Sequence, residues 1–303
     1  MNSNPPIQSA TAGLAKPAMA SGVFPFVLGC ALLGTIGLFV HEAHADPLTA
    51  TWFRCVFGLV GLTLWLVLRG QVRFLRLNGR TGPWVLTAGS LMVLSWGLFF
   101  TAIEHIPTGM AIVLFHVQPV WVLALGALCL GERVGRRRAG AVAVAMIGLV
   151  LATGVIGHGV DGEGYWLAVA SCLLGAFCMA CVTIIARRLR ELPAGTLAWW
   201  QCAIGTLTLW IWPMQHGWPA WGASWLWLAG LGVIHTSLAY TLMYSGMARL
   251  NTGRIAVLQF VYPAVGIVID WLLLNQRLGG VQLMGVVVML IAIGLAEQRR
   301  RRS

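Results

Sequence analysis

What most constrains this chain is the length of its apolar runs. They cover Val23–Val40, Leu48–Leu68, Trp84–Ile103, Gly109–Leu130, Gly140–Ile156, Tyr165–Ile185, Thr196–Trp212, Trp225–Gly246, Ile255–Leu274 and Val281–Ala296. Each holds about 16 to 22 residues, enough at 1.5 Å rise per residue to cross the roughly 30 Å hydrocarbon layer of a bilayer. In lipid the backbone polar groups must be met within the segment, and runs of this length do so as helices. The expected fold class is therefore an all-α membrane protein with ten transmembrane helices. Composition agrees, since only 10% of the 303 residues are charged, against about a quarter in a soluble domain. Such a chain cannot cover a water-facing surface. Trp84, Tyr165, Trp199, Trp200, Trp212, Trp221 and Trp225 stand near run ends, as an interfacial belt would.

The net charge of +11 raises nucleic-acid binding as a possibility. The positive residues, however, sit in short clusters between apolar runs, the pattern of cytoplasmic loops, so no nucleic-acid partner is expected. With the N-terminus inside, the inner loops hold Arg69, Arg73, Arg76, Arg80, Arg133, Arg136 to Arg138, Arg187, Arg188, Arg190, Arg249 and Arg254. The inner tails hold Lys16 and Arg299 to Arg302. Of the 20 Lys and Arg residues, only Arg54, inside a run, and Arg277 are left over. Glu42, Asp46, Glu104, Asp161 and Glu163 fall outside. This asymmetry predicts both termini in the cytoplasm. The skew of Arg over Lys suggests a GC-rich bacterial source, and hence a multi-pass protein of the bacterial inner (plasma) membrane.

The seven cysteines lie in apolar runs, so no disulfide framework is expected. Cys178-x-x-Cys181 reads as two small packing residues rather than a metal or redox pair. Ala43-His44-Ala45 looks like a signal-peptidase site, but the run before it exceeds the 7–15 residues usual for a signal peptide. An uncleaved first helix is expected. Residues 1–21 read as a disordered cytoplasmic tail and 298–303 as a basic one that anchors on anionic lipid.

The chain also repeats itself. Thr108-Gly109, Pro119 and Gly131-Glu132-Arg133 return 144 residues later as Thr252-Gly253, Pro263 and Asn275-Gln276-Arg277. Trp52-Phe53-Arg54-Cys55-x-x-Gly58 matches Trp199-Trp200-Gln201-Cys202-x-x-Gly205. Five helices per half is an odd number, so the second half inserts upside down. The charges follow: Arg136 to Arg138 trail the first copy of the motif, Gly279-Gly280-Val281 the second. Two inverted five-helix repeats around a central cavity are the architecture of secondary transporters.

Residues 101–152, with TGMAIVLFHVQPVWVLALGALCLGERVGRRR inside them, resemble the EamA repeat of the drug/metabolite transporter (DMT) superfamily. Residues 245–296 resemble it more loosely. The resemblance covers residues 23–296 and implies EamA repeats at 22–156 and 163–297. It further implies an exporter-like basket, with helices 1–4 and 6–9 around the cavity and helices 5 and 10 peripheral. Gln276 departs from the Glu frequent in the family's second repeat, so a symmetric acidic pair is incomplete.

Charges inside a membrane helix are costly and mark candidate sites. Arg54 and Asp270 lie at similar depth from the outer side. They are gating or coupling candidates, expected either to pair or to line the outer mouth of the cavity. A purely structural role is the competing reading. Proline frees a carbonyl one turn back, which is tolerated beside protein or a water-filled cavity. His116, Gln118 and Pro119, with Gln259, Tyr262 and Pro263, are thus candidate substrate-binding residues. Trp96 and Phe100 in helix 3 and Tyr240 and Tyr244 in helix 8 share the i, i+4 spacing of one face and are added as cavity candidates. His235, Thr236 and Ser237 accompany them. Gly29, Gly34, Gly37 and Gly175 read as sites of close helix approach.

No G-x-x-x-x-G-K-[ST] loop occurs, so ATP-driven pumping is not expected. No cofactor, metal site or catalytic residue is expected, and the loops are too short for a soluble catalytic domain. The expected function is secondary active export of a small metabolite, amino acid or amphipathic drug by alternating access, with protons as a coupling ion to be tested. The alternatives are a membrane-embedded enzyme acting on a lipid-linked substrate and a non-transporting membrane sensor.

Overall fold

The computed structural model describes residues 20–133, 135–153, 164–273 and 279–298. Most of both expected tails, with Lys16 and Arg299 to Arg302, lies outside the described residues, as do Asp161, Glu163 and the Asn275-Gln276-Arg277 motif. The described residues contain helices and no strand.

In chain order the main helices are α1 (Gly22–Ala43), α2 (Pro47–Leu68), α3 (Gly82–Ile103), α4 (Thr108–Leu130), α5 (Arg136–Ala152), α6 (Tyr165–Arg188), α7 (Ala194–Leu209), α8 (Ser224–Met247), α9 (Thr252–Leu273) and α10 (Gly280–Gln298). Seven of these, α1 to α4, α6, α8 and α9, are long and apolar enough to cross a membrane. The apolar runs at 140–156, 196–212 and 281–296 correspond to shorter stretches. The arginine-led start of α5 reduces its apolar length, and α7 stops at Leu209 before a separate helix, Ile211–His216. Leu128 is 81% exposed and Leu226 76%. Apolar side chains this open fit a molecule whose surround is hydrocarbon.

Local chemistry sets the helix ends. Asp46 accepts from the backbone N–H groups of Leu48 and Thr49, each at 3.0 Å, and Pro47 occupies the first turn of α2, where its missing N–H costs nothing. Asn251 accepts from the Arg254 N–H at 3.0 Å and starts α9 in the same way.

α1 packs on α8 and α9, α2 on α7 and α8, α3 on α6 and α7, and α4 on α6 and α9. α5 and α10 pack closely on each other. Their contact requires glycine: a Cβ on Gly148 would lie 2.8 Å from the Gly285 carbonyl oxygen, and one on Gly285 2.5 Å from that of Gly148. Gly29 and Gly34 do the same for α1. Added Cβ atoms there would lie 2.8 Å from the carbonyl oxygens of Ala239 and Tyr262 respectively. Gly37 differs from the expectation of close approach. Its nearest neighbour would be Asp270 Oδ1 at 3.6 Å, and it lines open space instead.

Candidate functional site

A cavity of about 390 Å³ lies between α1, α2, α3, α4, α6, α8 and α9. Val40, Pro47, Ile103 and Thr108 line it, so it extends to the α1–α2 and α3–α4 connections. Neither α5 nor α10 contributes to its wall, and α7 does not either. The last point corrects the expectation that α7 would surround it. α7 stands one layer back, where Gln201 Oε1 accepts from the Tyr244 hydroxyl at 2.7 Å.

The paired prolines shape two sides of this space. α4 is helical to Phe115 and again from Gln118, with His116 and Val117 between. α9 is helical to Leu258 and again from Val261, with Gln259 and Phe260 between. In each case the break falls just before a proline that supplies no N–H to the preceding turn. Pro119 and Pro263 are themselves buried away from the cavity. His116, Gln118, Gln259 and Tyr262 line it. His116 Nδ1 lies 2.8 Å from the Ile112 carbonyl oxygen. That oxygen only accepts, so Nδ1 carries the hydrogen. The His116 ring stacks on Tyr262 at 5.6 Å between centroids and 19° between planes. Gln118 Nε2 donates to Thr183 Oγ1 at 3.4 Å. Gln259 Oε1 is buried without a partner.

Trp96 and Phe100 from α3 and Tyr240 and Tyr244 from α8 all face this cavity. The two tyrosine rings are 5.8 Å apart. Arg54, on α2, is only 8% exposed and holds its guanidinium 4.3 Å over the Trp96 ring. A charged side chain in a membrane helix costs about 2.5–3.5 kcal/mol at mid-depth on insertion scales. A desolvated cation–π contact offsets about 2 kcal/mol of this.

Asp270 does not complete the balance. No ion pair joins it to Arg54 among the described residues, so the expected Arg54–Asp270 pair is absent. Nor is Asp270 on the cavity wall. The reason is the rotational setting of two helices. Arg54 points from α2 toward Trp96 and Tyr240, whereas Asp270 points from α9 toward Gly37 of α1.

Two features were not legible in the sequence. α8 contains a π-helical turn at Val233–Leu238, a distortion that recurs at functional sites. The Thr236 hydroxyl donates to the Leu231 carbonyl at 3.1 Å, and Ser237 Oγ lies 3.0 Å from the Gly58 carbonyl of α2. The only advance sign was the cluster His235-Thr236-Ser237 in an apolar run. Second, α1 is interrupted at Thr35, between a stretch that ends at Gly34 and one that starts at Ile36, and Thr35 lies 2.8 Å from both the Leu32 carbonyl and His235 Nε2. The single hydroxyl hydrogen goes to the carbonyl, so His235 Nε2–H donates to Thr35.

A polar cluster lies beside the cavity and shares Met247 with its wall. Glu132, after α4, accepts from Arg187 Nη2 and from the backbone N–H and hydroxyl of Thr252 at 2.8 and 2.7 Å. Arg187 Nη1 donates to the Met247 carbonyl at 3.2 Å. Partial burial opposes ionisation of Glu132, but the hydrogen bonds from Thr252 and the Arg187 guanidinium outweigh it. They hold the carboxyl below its ordinary pKa.

The family model for the EamA-like transporter family matches residues 20–154 and again 166–297. This chain belongs to the EamA-like transporter family. Members of the DMT superfamily are its relatives, over differing shares of its length: the "uncharacterized transporter YxxF" of Bacillus subtilis (strain 168) is 25% identical over 93% of this chain and 91% of its own. The "probable amino-acid metabolite efflux pump" of Salmonella typhimurium is 27% identical over 70% of this chain and 76% of its own. The "pseudopaline exporter CntI" of Pseudomonas aeruginosa is 32% identical over a shorter stretch, 39% of this chain and 41% of its own. A solved crystal structure superimposes on this EamA protein with a TM-score of 0.82, covering 94% of this chain and 99% of that one. At 19% identity that likeness shows the fold alone. The chain is thus a multi-pass membrane protein, a transporter by family, with two EamA domains.

Proposed function

We propose that this chain is a secondary active exporter of a small metabolite, amino acid or amphipathic drug, and that it works by alternating access in a bacterial inner membrane. In this reading ten membrane helices form two inverted five-helix halves, residues 22–156 and 163–297, with both termini cytoplasmic. The observation that carries it is the cavity between helices of both halves, with the two proline breaks on its wall at corresponding positions in the repeat. A site shared by two inverted halves is exposed to either side when one rocks against the other.

The conformation described here is then the outward-facing one. The cavity reaches the connections free of arginine clusters, between Ala43 and Pro47 and between Ile103 and Thr108. The opposite ends of the helices are tied by Glu132, Arg187, Met247 and Thr252, beside the arginine-rich loops. Inward opening requires that this tie break. The names of two relatives, a "probable amino-acid metabolite efflux pump" and a "pseudopaline exporter", support an outward direction of transport.

Flux decides the matter. Purified protein in proteoliposomes is loaded with labelled amino acids and small metabolites, and efflux is compared with that from protein-free vesicles, with and without a proton gradient. A solute whose efflux depends on the protein supports the reading. Uniformly absent flux in vesicles that hold correctly folded protein sinks it.

A further inference from the structure

The cavity carries one strong charge. Among its lining residues Arg54 is the single Lys, Arg, Asp or Glu. It is 8% exposed, has no carboxylate partner among the described residues, and keeps two nitrogens, Nε and Nη2, buried without a hydrogen-bond partner. These are not an arbitrary two. In an arginine, Nε–H and the Nη2–H that lies trans to Cδ point out of the same edge of the guanidinium plane. That edge is the fork that meets both oxygens of a carboxylate at once. The face of the guanidinium is taken by Trp96 at 4.3 Å. The aromatic contact therefore orients the group and leaves the fork unmet.

The rest of the wall has a different character. Phe99, Phe100 and Phe115 face the same space as Met179, Met243 and Met247. Rings supply apolar area, and unbranched thioethers re-pack around bodies of different shape. A buried cation with two unpaired donors beside an apolar, adjustable chamber is complementary to an amphipathic anion.

We infer that the solute is an organic carboxylate with an apolar or aromatic body, and that Arg54 is its anchor, receiving the two carboxylate oxygens on the Nε/Nη2 edge. The inference rests on the transporter reading above and narrows its substrate class. The edge is shut off from water as the wall stands, so the anion reaches it once the side chains that cover it move aside. Binding then supplies the counter-charge that the protein withholds. The same logic disfavours cationic solutes, which would face Arg54 with no acidic group on the wall to offset the repulsion.

The test uses binding to the purified full chain in lipid nanodiscs, measured by calorimetry at neutral pH with four matched probes. They are 3-phenylpropanoate, its neutral isostere 3-phenylpropanamide, the cation 3-phenylpropylammonium, and phenyl phosphate as the other source of an oxyanion. The carboxylate is expected to bind about ten- to a hundredfold more tightly than the amide, the range of a charge-assisted hydrogen-bonded contact, and more tightly still than the cation. In Arg54→Gln the carboxylate and amide should bind within about twofold of each other, and Arg54→Lys should keep an intermediate preference. Equal binding of carboxylate and amide to the wild-type chain overturns the inference, as does failure of all four probes to bind. A preference that survives intact in Arg54→Gln overturns the role of Arg54. Tighter binding of phenyl phosphate overturns the carboxylate assignment in favour of a phosphate ester. Because the wild-type comparison alone decides the substrate class, a misfolded variant does not leave it open. Carboxylate-selective binding without flux would remove the transporter reading and keep the site, and flux without that selectivity would do the reverse.

Discussion

Glu132 Oε2 accepts both the backbone N–H and the hydroxyl of Thr252, at 2.8 and 2.7 Å. A carboxylate from the loop after α4 thus caps the first turn of α9, 120 residues further along the chain. Its other oxygen meets Arg187 at the end of α6. A capping interaction that is usually local, and that the positive end of the helix dipole favours, here ties together helices from both EamA domains.

Glu132→Gln should therefore destabilise the fold by about 1–3 kcal/mol, because it removes charge-assisted bonds and leaves the largely buried Arg187 without a counter-charge. The thermal midpoint of the purified protein should fall. If the tie also closes the inner side, the same variant should shift toward inward-facing forms, read as increased labelling of a cysteine placed beneath it.

The same contact has a pH signature. The Glu132 carboxyl is held below its ordinary value in the folded chain. Its stabilisation is fully present above the unfolded-state value of about 4.3 and is lost as pH falls through the lower folded value. The difference in thermal midpoint between wild type and Glu132→Gln should be constant near neutrality and shrink below about pH 4. A gap unchanged down to pH 3 would show that the carboxylate is not what stabilises the junction.

Arg54 should couple energetically to Trp96 and not to Asp270. A double-mutant cycle with Arg54→Gln and Trp96→Leu should give an interaction of about 0.5–2 kcal/mol. The cycle of Arg54→Gln with Asp270→Asn should be additive. The reverse result would restore the ion pair expected from depth alone.

Thr35→Val removes the acceptor of the His235 Nε2–H while keeping the shape of the side chain. Because His235 is fully buried, the loss should cost about 1–3 kcal/mol, read again as a lower midpoint. A neutral effect would mean that a water replaces the hydroxyl.

At the α5–α10 contact, Gly148→Leu has no room. Even a Cβ there would lie 2.8 Å from the Gly285 carbonyl oxygen. Overpacking of this kind costs about 1–3 kcal/mol or more. A matched substitution at Gly294, where nothing lies within 4 Å, should be tolerated in the same thermal assay.

Much of the cavity wall was legible in the residues. The paired prolines mark the two helix breaks, and His116, Gln118, Gln259 and Tyr262 beside them do line the cavity. Trp96, Phe100, Tyr240 and Tyr244 face it together, as their spacing suggested. Gly131-Glu132-Arg133 stood out as a repeated motif, but its chemistry was hidden because Thr252 and Arg187 are distant in sequence. The π-helical turn in α8 was not legible either, since its spacing depends on hydroxyl contacts such as Ser237 with Gly58 of another helix.

The sequence by itself determined that this chain is helical and built for a membrane, and that its halves repeat. Those properties follow from the length of apolar runs, from unmet backbone groups in lipid, and from recurring residues at a constant offset. Which way each helix faces around its own axis was decided only by the tertiary structure. Hydropathy is nearly uniform around such helices, so it carries little rotational information. Close glycine contacts and hydrogen bonds between helices supply it. For that reason depth suggested Arg54 and Asp270 as partners, while packing gave Arg54 to Trp96 and turned Asp270 toward Gly37.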